Sequence, residues 1–373
     1  MHVCFRCSVP GLTPYQAFSQ PLAIQNSKTK FALFSFFHKL NHCPQEHMKA
    51  LTFDPQTDRF NVAELPVPEA KHSDVLIKVD ACGLNPVDAK IHLWKSMAPK
   101  MDKTWTPGLD VSGHIVATGD QVENWRVGDR VLCHGDMLRP HGGFAEYTIQ
   151  NCEALIPHPE LSAETAAATP CAGWTAWRAL VDKLHASQNH SILITGGSGG
   201  VGGFATQIAA HLKVQTIIVT CSATNHPYVK ELGATHAIDY KTEDVVAQVL
   251  QITDGQGVSI GLDTVGPDND RDVANSLAFE GQMVELVDVV RPSEYKDSFM
   301  KGLSFHQLSL GAGHRNGDAA KANLVNAGKA FSALVEQGKI RVPRLKAVSF
   351  AELADALLGI REQRTVGKLV VKT

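Results

Sequence analysis

The sequence predicts an α/β protein in two parts, a doubly wound parallel sheet joined to a compact, mostly β domain. Three observations carry this. Residues 191–205 read SILITGGSGGVGGFA, a short apolar run entering a glycine-rich turn and leaving as small and apolar residues, the pattern of strand, tight turn and helix. From there to about residue 290, strand-like and helix-like stretches alternate, as parallel sheets require. Before it, from Met48 to about Leu161, short β-like runs are separated by turn residues.

Composition narrows the classes. The 373 residues are 44% hydrophobic and 20% charged, ordinary for a globular protein and long enough for about two domains. A net charge of −3 leaves no basic footprint for nucleic acid. No apolar run reaches the roughly 18 residues of a membrane span. The 8 cysteines are scattered, Cys4 and Cys7 being the closest, so no disulfide framework is expected and a reducing, cytoplasmic setting is.

In chain order, residues 1–47 have no clear period and no acid before Glu46. They read as a targeting segment or as an irregular leader ahead of Met48; the second is favoured, because no apolar core with a small-residue cleavage site is present. Strands are expected at 48–53, 74–81, 113–119, 127–132 and 143–149, where β-branched and apolar residues run between glycines and acids. Ser162 is placed to cap a helix over 163–168, and another is expected over 175–184. After the glycine turn come a strand at 216–220, a helix at 228–232 stopped by Gly233, and a strand at 237–238. A helix at 245–251 and strands at 259–263 and 282–287 follow. Helices at 331–337 and 351–361 and a strand at 367–371 close the chain. The domains expected are 48–170, 171–308 and a return to the first over 309–373.

The glycine turn carries the first chemical signal. Gly197-x-Gly199-x-x-Gly202 fits the dinucleotide fingerprint: one glycine for the sharp turn, one for close approach of backbone to a pyrophosphate, one for packing of helix on sheet. A helix opening near Val201 would aim free N–H groups at the phosphates. Gly197, Ser198, Gly199, Gly200, Val201 and Gly202 are therefore expected to hold the cofactor. The pattern alone is common; the strand one helix later completes the βαβ unit that gives it weight. That strand ends Thr220-Cys221-Ser222-Ala223-Thr224-Asn225, without the acid that binds an NAD ribose, and the small Ser222 leaves room for a 2′-phosphate. The cofactor expected is NADP(H).

Further motifs run along the chain: Asn85-Pro86-Val87-Asp88, Pro107-Gly108-Leu109-Asp110-Val111-Ser112-Gly113, Val127-Gly128-Asp129-Arg130-Val131 and Gly142-Gly143-Phe144-Ala145-Glu146-Tyr147. Later come Cys171-Ala172-Gly173-Trp174-Thr175-Ala176, Asp263-Thr264-Val265-Gly266 and Thr365-Val366-Gly367-Lys368. In order and spacing the set resembles the medium-chain dehydrogenase/reductase superfamily, most closely its zinc-free quinone oxidoreductase branch, from Met48 to Thr373. The resemblance implies a GroES-like, mostly β catalytic domain plus a Rossmann cofactor domain. It implies hydride transfer from NADPH to a small-molecule quinone or α,β-unsaturated carbonyl, and a homodimer through the edge of the cofactor sheet. It places Tyr240 and Arg364 near the 2′-phosphate, although the lysine slot holds Asn225 and the arginine slot itself holds Gln363. Thr175 and Gly266 are implied cofactor contacts. Asn85 is the implied catalytic residue beside the nicotinamide, donating to the developing enolate or quinol oxygen; a loop-fixing amide is the other reading. Asp88 reads as a cap or loop partner.

The three zinc-ligand slots of related alcohol dehydrogenases hold Asn85, Leu109 and Cys171. One thiolate falls short of the roughly three protein ligands of a catalytic zinc site, so no metal is expected. Cys171 then reads as a buried filler rather than a reactive thiol, and His134 and His141 as loop residues. Two rival functions remain: a zinc-type alcohol dehydrogenase, and a non-catalytic NADPH-binding protein. Residues 289–315 are expected to shape the pocket or a subunit contact.

Overall fold

The computed structural model describes residues 46–362 and 365–373. The leader expected over 1–47 lies almost wholly outside these residues, and so do Gln363 and Arg364.

The chain enters through β1 (His47–Asp54), which pairs antiparallel with β2 (Arg59–Pro66). The second strand is largely exposed, which is why no apolar run marked it in the sequence. Next come β3 (Asp74–Leu84), β4 (Asp110–Thr118), β5 (Arg130–His134), β6 (Tyr147–Asn151) and β7 (Leu155–Pro157). The parallel sheet follows with β8 (Ser191–Ile194), β9 (Thr216–Cys221), β10 (His236–Asp239), β11 (Val258–Asp263), β12 (Leu277–Glu285) and β13 (Ser304–Gln307). Two further strands are β14 (Leu345–Val348) and β15 (Lys368–Lys372).

Two large sheets result. One runs β14-β15-β3-β4-β5-β7, with β6 also pairing with β3; β15 brings residues near 370 to the middle of a sheet begun near residue 75. The other runs β10-β9-β8-β11-β12-β13 and is parallel throughout. Its order reverses between β8 and β11, and ligands of doubly wound sheets bind in the crevice beyond the carboxyl ends of the strands at such a switch point.

The helix Gly200–His211 follows β8 and buries most of its residues, among them Phe204, Ala205 and Ile208. The helix expected over 175–184 is irregular: wide π turns at Pro170–Trp174 and Arg178–Lys183 flank a short α segment, Thr175–Trp177. Pro170 has no N–H to continue a regular ladder. Bulky rings lock this segment to the helix Asp318–Glu336: a Cβ on Gly173 would lie 2.3 Å from the Phe331 ring, and one on Gly328 2.8 Å from Trp174. Phe331 in turn meets Phe204 edge to face at 5.0 Å. The sequence predicted only the end of that helix. Its earlier turns carry Lys, Asn and small residues, and only Leu324, Ala327 and Gly328 mark the buried stripe there.

Candidate active site

The glycine turn is built as a cradle. Gly197 N–H donates to the Thr220 carbonyl at 3.0 Å, and Gly199 N–H to that of Gly196 at 3.0 Å, so the chain doubles back tightly between β8 and its helix. A Cβ on Gly202 would lie 2.4 Å from the Gly196 carbonyl oxygen, and one on Gly197 1.7 Å from a Val219 methyl. Gly199 differs: its nearest neighbour would be a carbonyl oxygen at 3.3 Å, so its missing side chain leaves space outside the turn. With Gly199 at the helix N-cap, the amides of Gly200, Val201 and Gly202 open the helix without intrahelical acceptors, a ready anion site.

Three strand ends bring other expected cofactor residues to this crevice. Ser222 follows β9, and its hydroxyl is held by Asn225 Nδ2 at 3.1 Å and Thr224 Oγ1 at 3.2 Å. Tyr240 follows β10, which pairs Asp239 with Cys221, so Tyr240 emerges beside Ser222; it is exposed, with the Lys241 ammonium 6.0 Å from its ring centre. The Asp239 carboxylate is occupied by its own turn, accepting from Lys241 N–H and the Thr242 hydroxyl. Gly266 follows β11 with φ of +104°, a conformation that suits glycine. Thr175 is buried in the segment after Pro170.

A buried polar network adjoins the cradle. Lys368 on β15 is 3% exposed; its ammonium donates to Asn85 Oδ1 at 2.5 Å and to the Leu84 carbonyl at 3.3 Å, and lies 3.7 Å from Asp110 Oδ2. Asn85 Nδ2 donates to Asp110 Oδ2 at 2.9 Å and to Asp88 Oδ2 at 3.3 Å. The other Asp110 oxygen accepts the Cys171 N–H at 2.8 Å. Asp88 also accepts the Asn85 backbone N–H, closing a capping box on the helical turn Pro86–Ala89. Burial pushes the Asp110 carboxyl up to about 6, against the pull of Lys368, and burial together with the Asp110 charge pushes Asp88 up to about 8. The network therefore holds one ammonium and one carboxylate near neutrality. A Cβ on Gly200 would lie 2.9 Å from Lys368 Cδ, so the first turn of the helix Gly200–His211 rests on this lysine.

Comparison with known proteins agrees with this fold. Residues 71–160 match the family described as alcohol dehydrogenase GroES-like domain, and residues 232–371 the family described as zinc-binding dehydrogenase. A zebrafish synaptic vesicle membrane protein VAT-1 homolog is 31% identical over 326 residues, 82% of this chain and 65% of that protein, so the chain spans just under two thirds of its length. A mouse quinone oxidoreductase is 30% identical over 271 residues, 71% of this chain and 80% of that protein. The chain belongs to the quinone oxidoreductase-like branch of the medium-chain dehydrogenase/reductase superfamily. The structure of the quinone oxidoreductase from Coxiella burnetii superposes with a TM-score of 0.75 at 27% identity, over 88% of this chain and all of that one. The GroES-like plus Rossmann fold is thus present, and membership of the superfamily implies a nicotinamide cofactor.

Against that family background, two expectations change. His134 is not a loop residue: it ends β5 opposite Asp110, is 2% exposed, and stacks on His314 at 5.9 Å. One donor atom each of His134, Asp110 and Cys171 lies within 4.8 Å of the other two. Sequence spacing hid this cluster because the residues come from two strands and the π turn; the unbroken apolar run Val131-Leu132-Cys133 leading into His134 was the available signal. Burial holds the His134 imidazole neutral, down to about 3, while burial and Asp110 push the Cys171 thiol well up. Asn85 changes as well. Both its amide protons are directed at carboxyl oxygens and its oxygen at Lys368, so it has no N–H left for a substrate oxygen.

Among the described residues no helix is long and apolar enough to cross a membrane. The described cysteines, Cys82, Cys133, Cys152, Cys171 and Cys221, are free thiols.

Proposed function

We propose that this protein is an NADPH-dependent reductase that delivers hydride to a quinone or an α,β-unsaturated carbonyl without a zinc ion. The observation that carries the reading is the contact between cradle and network: Gly200 of the phosphate turn rests on Lys368, which holds Asn85 and Asp110. When bound, the nicotinamide supplies the hydride; the chain's part is to bind, orient and exclude water. The backbone of Gly197–Gly202 and the helix N-terminus take the pyrophosphate. Thr175 and Gly266 line the approach to the nicotinamide ribose. Ser222 and Tyr240, with no carboxylate free at the end of β9, favour the 2′-phosphate of NADPH over an NAD ribose. Arg364 belongs to the same proposal but lies outside the described residues. A second copy of the chain, added along the open edge strand β13, completes it.

Zinc fits the donor set poorly. A catalytic zinc needs about three protein ligands, and of Asp110, His134 and Cys171 the first is already engaged at both oxygens. Its oxygens take Asn85 and the Cys171 N–H, and an ammonium stands 3.7 Å away. A divalent ion there would displace that cation or be repelled by it. Without a Lewis acid, an acceptor whose carbonyl already activates a distant carbon is the natural substrate.

The test is a panel: NADPH or NADH against quinones, enones and saturated ketones, following cofactor oxidation, with metal analysis of the same preparation. Turnover of enones or quinones with NADPH by metal-free protein is the expected result. Stoichiometric zinc with activity on simple alcohols would replace this reading with an alcohol dehydrogenase; NADPH binding without any turnover would replace it with a binding role.

Asn85 becomes a positioning residue in this scheme, keeping Lys368 and Asp110 in register beneath the cradle. Asn85→Ala is expected to cost about 1–3 kcal/mol of stability, the desolvation penalty of partners left unpaired, read by urea denaturation. Stability equal to the parent protein would remove Asn85 from the network.

A further inference from the structure

A second pair of buried carboxyl groups stands across the crevice, at the ends of β11 and β12. Asp263 and Glu285 are register neighbours on these parallel strands, 0% and 1% exposed. Asp263 Oδ1 accepts from the Thr195 hydroxyl at 2.5 Å and from Val265 N–H at 2.9 Å, with Gly266 N–H at 3.5 Å. Glu285 Oε1 accepts from Val287 N–H at 2.7 Å and Asp288 N–H at 2.9 Å. Each acid therefore folds one of the two loops that leave the sheet here. The loops touch: a Cβ on Gly266 would lie 2.8 Å from a Val287 methyl.

The remaining oxygens, Asp263 Oδ2 and Glu285 Oε2, are buried without a hydrogen-bond partner among the described residues, on register neighbours of adjacent strands. Two carboxyl groups side by side and buried cannot both carry charge cheaply, and a single proton between them would give both bare oxygens a partner. The charged surroundings offer no substitute. Asp263 on β11 bears on Glu285 most; Asp272, on the helix Asn269–Asn275, adds a further acid near Asp263, and Asp288 follows in the loop itself. Tyr295, from the segment before β13, feels the Glu285 charge and donates its hydroxyl to Asp270 instead. On β13 the register neighbour of Glu285 is the uncharged Gln307, while His306 faces Gln282 at 3.5 Å.

We propose that one proton shared by Asp263 and Glu285 holds these two loops in the shape that receives the nicotinamide end of the cofactor, so that NADPH affinity falls when the proton is lost. The proposal rests on the NADPH reading above. Both acids are positioning residues. Burial first, and then the Asp263 charge, push the Glu285 carboxyl up to about 8. The folded chain thus binds this proton more tightly than the unfolded chain, in which a glutamate titrates near about 4.3. The stabilisation is complete below that unfolded value and is lost as pH rises from there through about 8.

The experiment titrates the full chain with NADPH by fluorescence, from about pH 6 to about pH 9.5, alongside thermal melts, for the parent protein, Glu285→Gln and Glu285→Ala. The parent is expected to lose up to about tenfold in affinity per pH unit above the transition, one proton being linked to binding. Glu285→Gln carries a permanent N–H donor in that position, so its affinity and Tm should not follow this transition. Glu285→Ala leaves the second loop unanchored and should bind weakly at every pH. A parent whose affinity and Tm both track those of Glu285→Gln across the range overturns the proposal. Folded parent protein that binds no NADPH at any pH defeats the functional reading instead. In that event the clamp stands if the parent's Tm falls with rising pH relative to Glu285→Gln, and fails if it does not.

Discussion

Replacing Gly199 with valine is expected to lower NADPH affinity by at least about 100-fold, some 2.7 kcal/mol, while the fold survives. The three fingerprint glycines are not equivalent in this respect. A Cβ at Gly197 or Gly202 strikes the protein's own atoms, at 1.7 Å from Val219 and 2.4 Å from the Gly196 carbonyl, so either substitution damages the turn itself. At Gly199 the nearest obstacle is 3.3 Å away, and the added methyls would stand in the space where the pyrophosphate backbone contact is proposed. Loss of binding with Tm kept within a few degrees of the parent is therefore specific to the cradle. Gly202→Val should lose both. An undisturbed NADPH titration of Gly199→Val would refute the cradle.

The largest effect on stability is expected from Lys368→Met. Asp110 is fully buried, and Lys368 is the cation beside it. Removing one partner of a buried pair leaves an uncompensated charge and costs about 3–5 kcal/mol; Asn85 Oδ1 and the Leu84 carbonyl lose their donor as well. Urea denaturation reads the loss. Asp110→Asn added to Lys368→Met should recover much of it, because both charges then leave together, and the double-mutant cycle isolates the pair. A single variant within about 1 kcal/mol of the parent would mean that the ammonium is not what balances Asp110.

How much of this was legible in the sequence depends on whether the signal was local. The βαβ unit, its glycines and the strand ends carrying Ser222, Tyr240 and Gly266 were readable because each is a short run with its own chemistry. The wide turns at Pro170–Trp174 and Arg178–Lys183 were not, since helix formers read the same in either ladder. β13 and β14 were missed because each is only four residues long and mostly exposed or half-buried, so no apolar run marks it. The network escaped for another reason. Asn85, Asp110 and Lys368 each looked like a motif residue, and nothing local says that an amide, an acid and a lysine far along the chain meet. For His134 and for the Asp263–Glu285 pair the missing information was strand register, which no single stretch contains.

The position of β15 has a consequence for how the molecule is made. Lys368 reaches back to Leu84 across 284 residues, and β15 sits between β14 and β3 rather than at a rim. A ribosome delivers the cofactor-sheet strands, β8 to β13, as one uninterrupted block, and that block can close on itself during synthesis. The strands made before it must wait with the Ala81–Leu84 end of β3 unpaired on one flank and Asp110 without its cation until residues near 370 emerge. Pairings so distant along a chain form slowly, so this half of the protein is the part that would lean on chaperones, and the part where strand exchange between unfinished chains would begin.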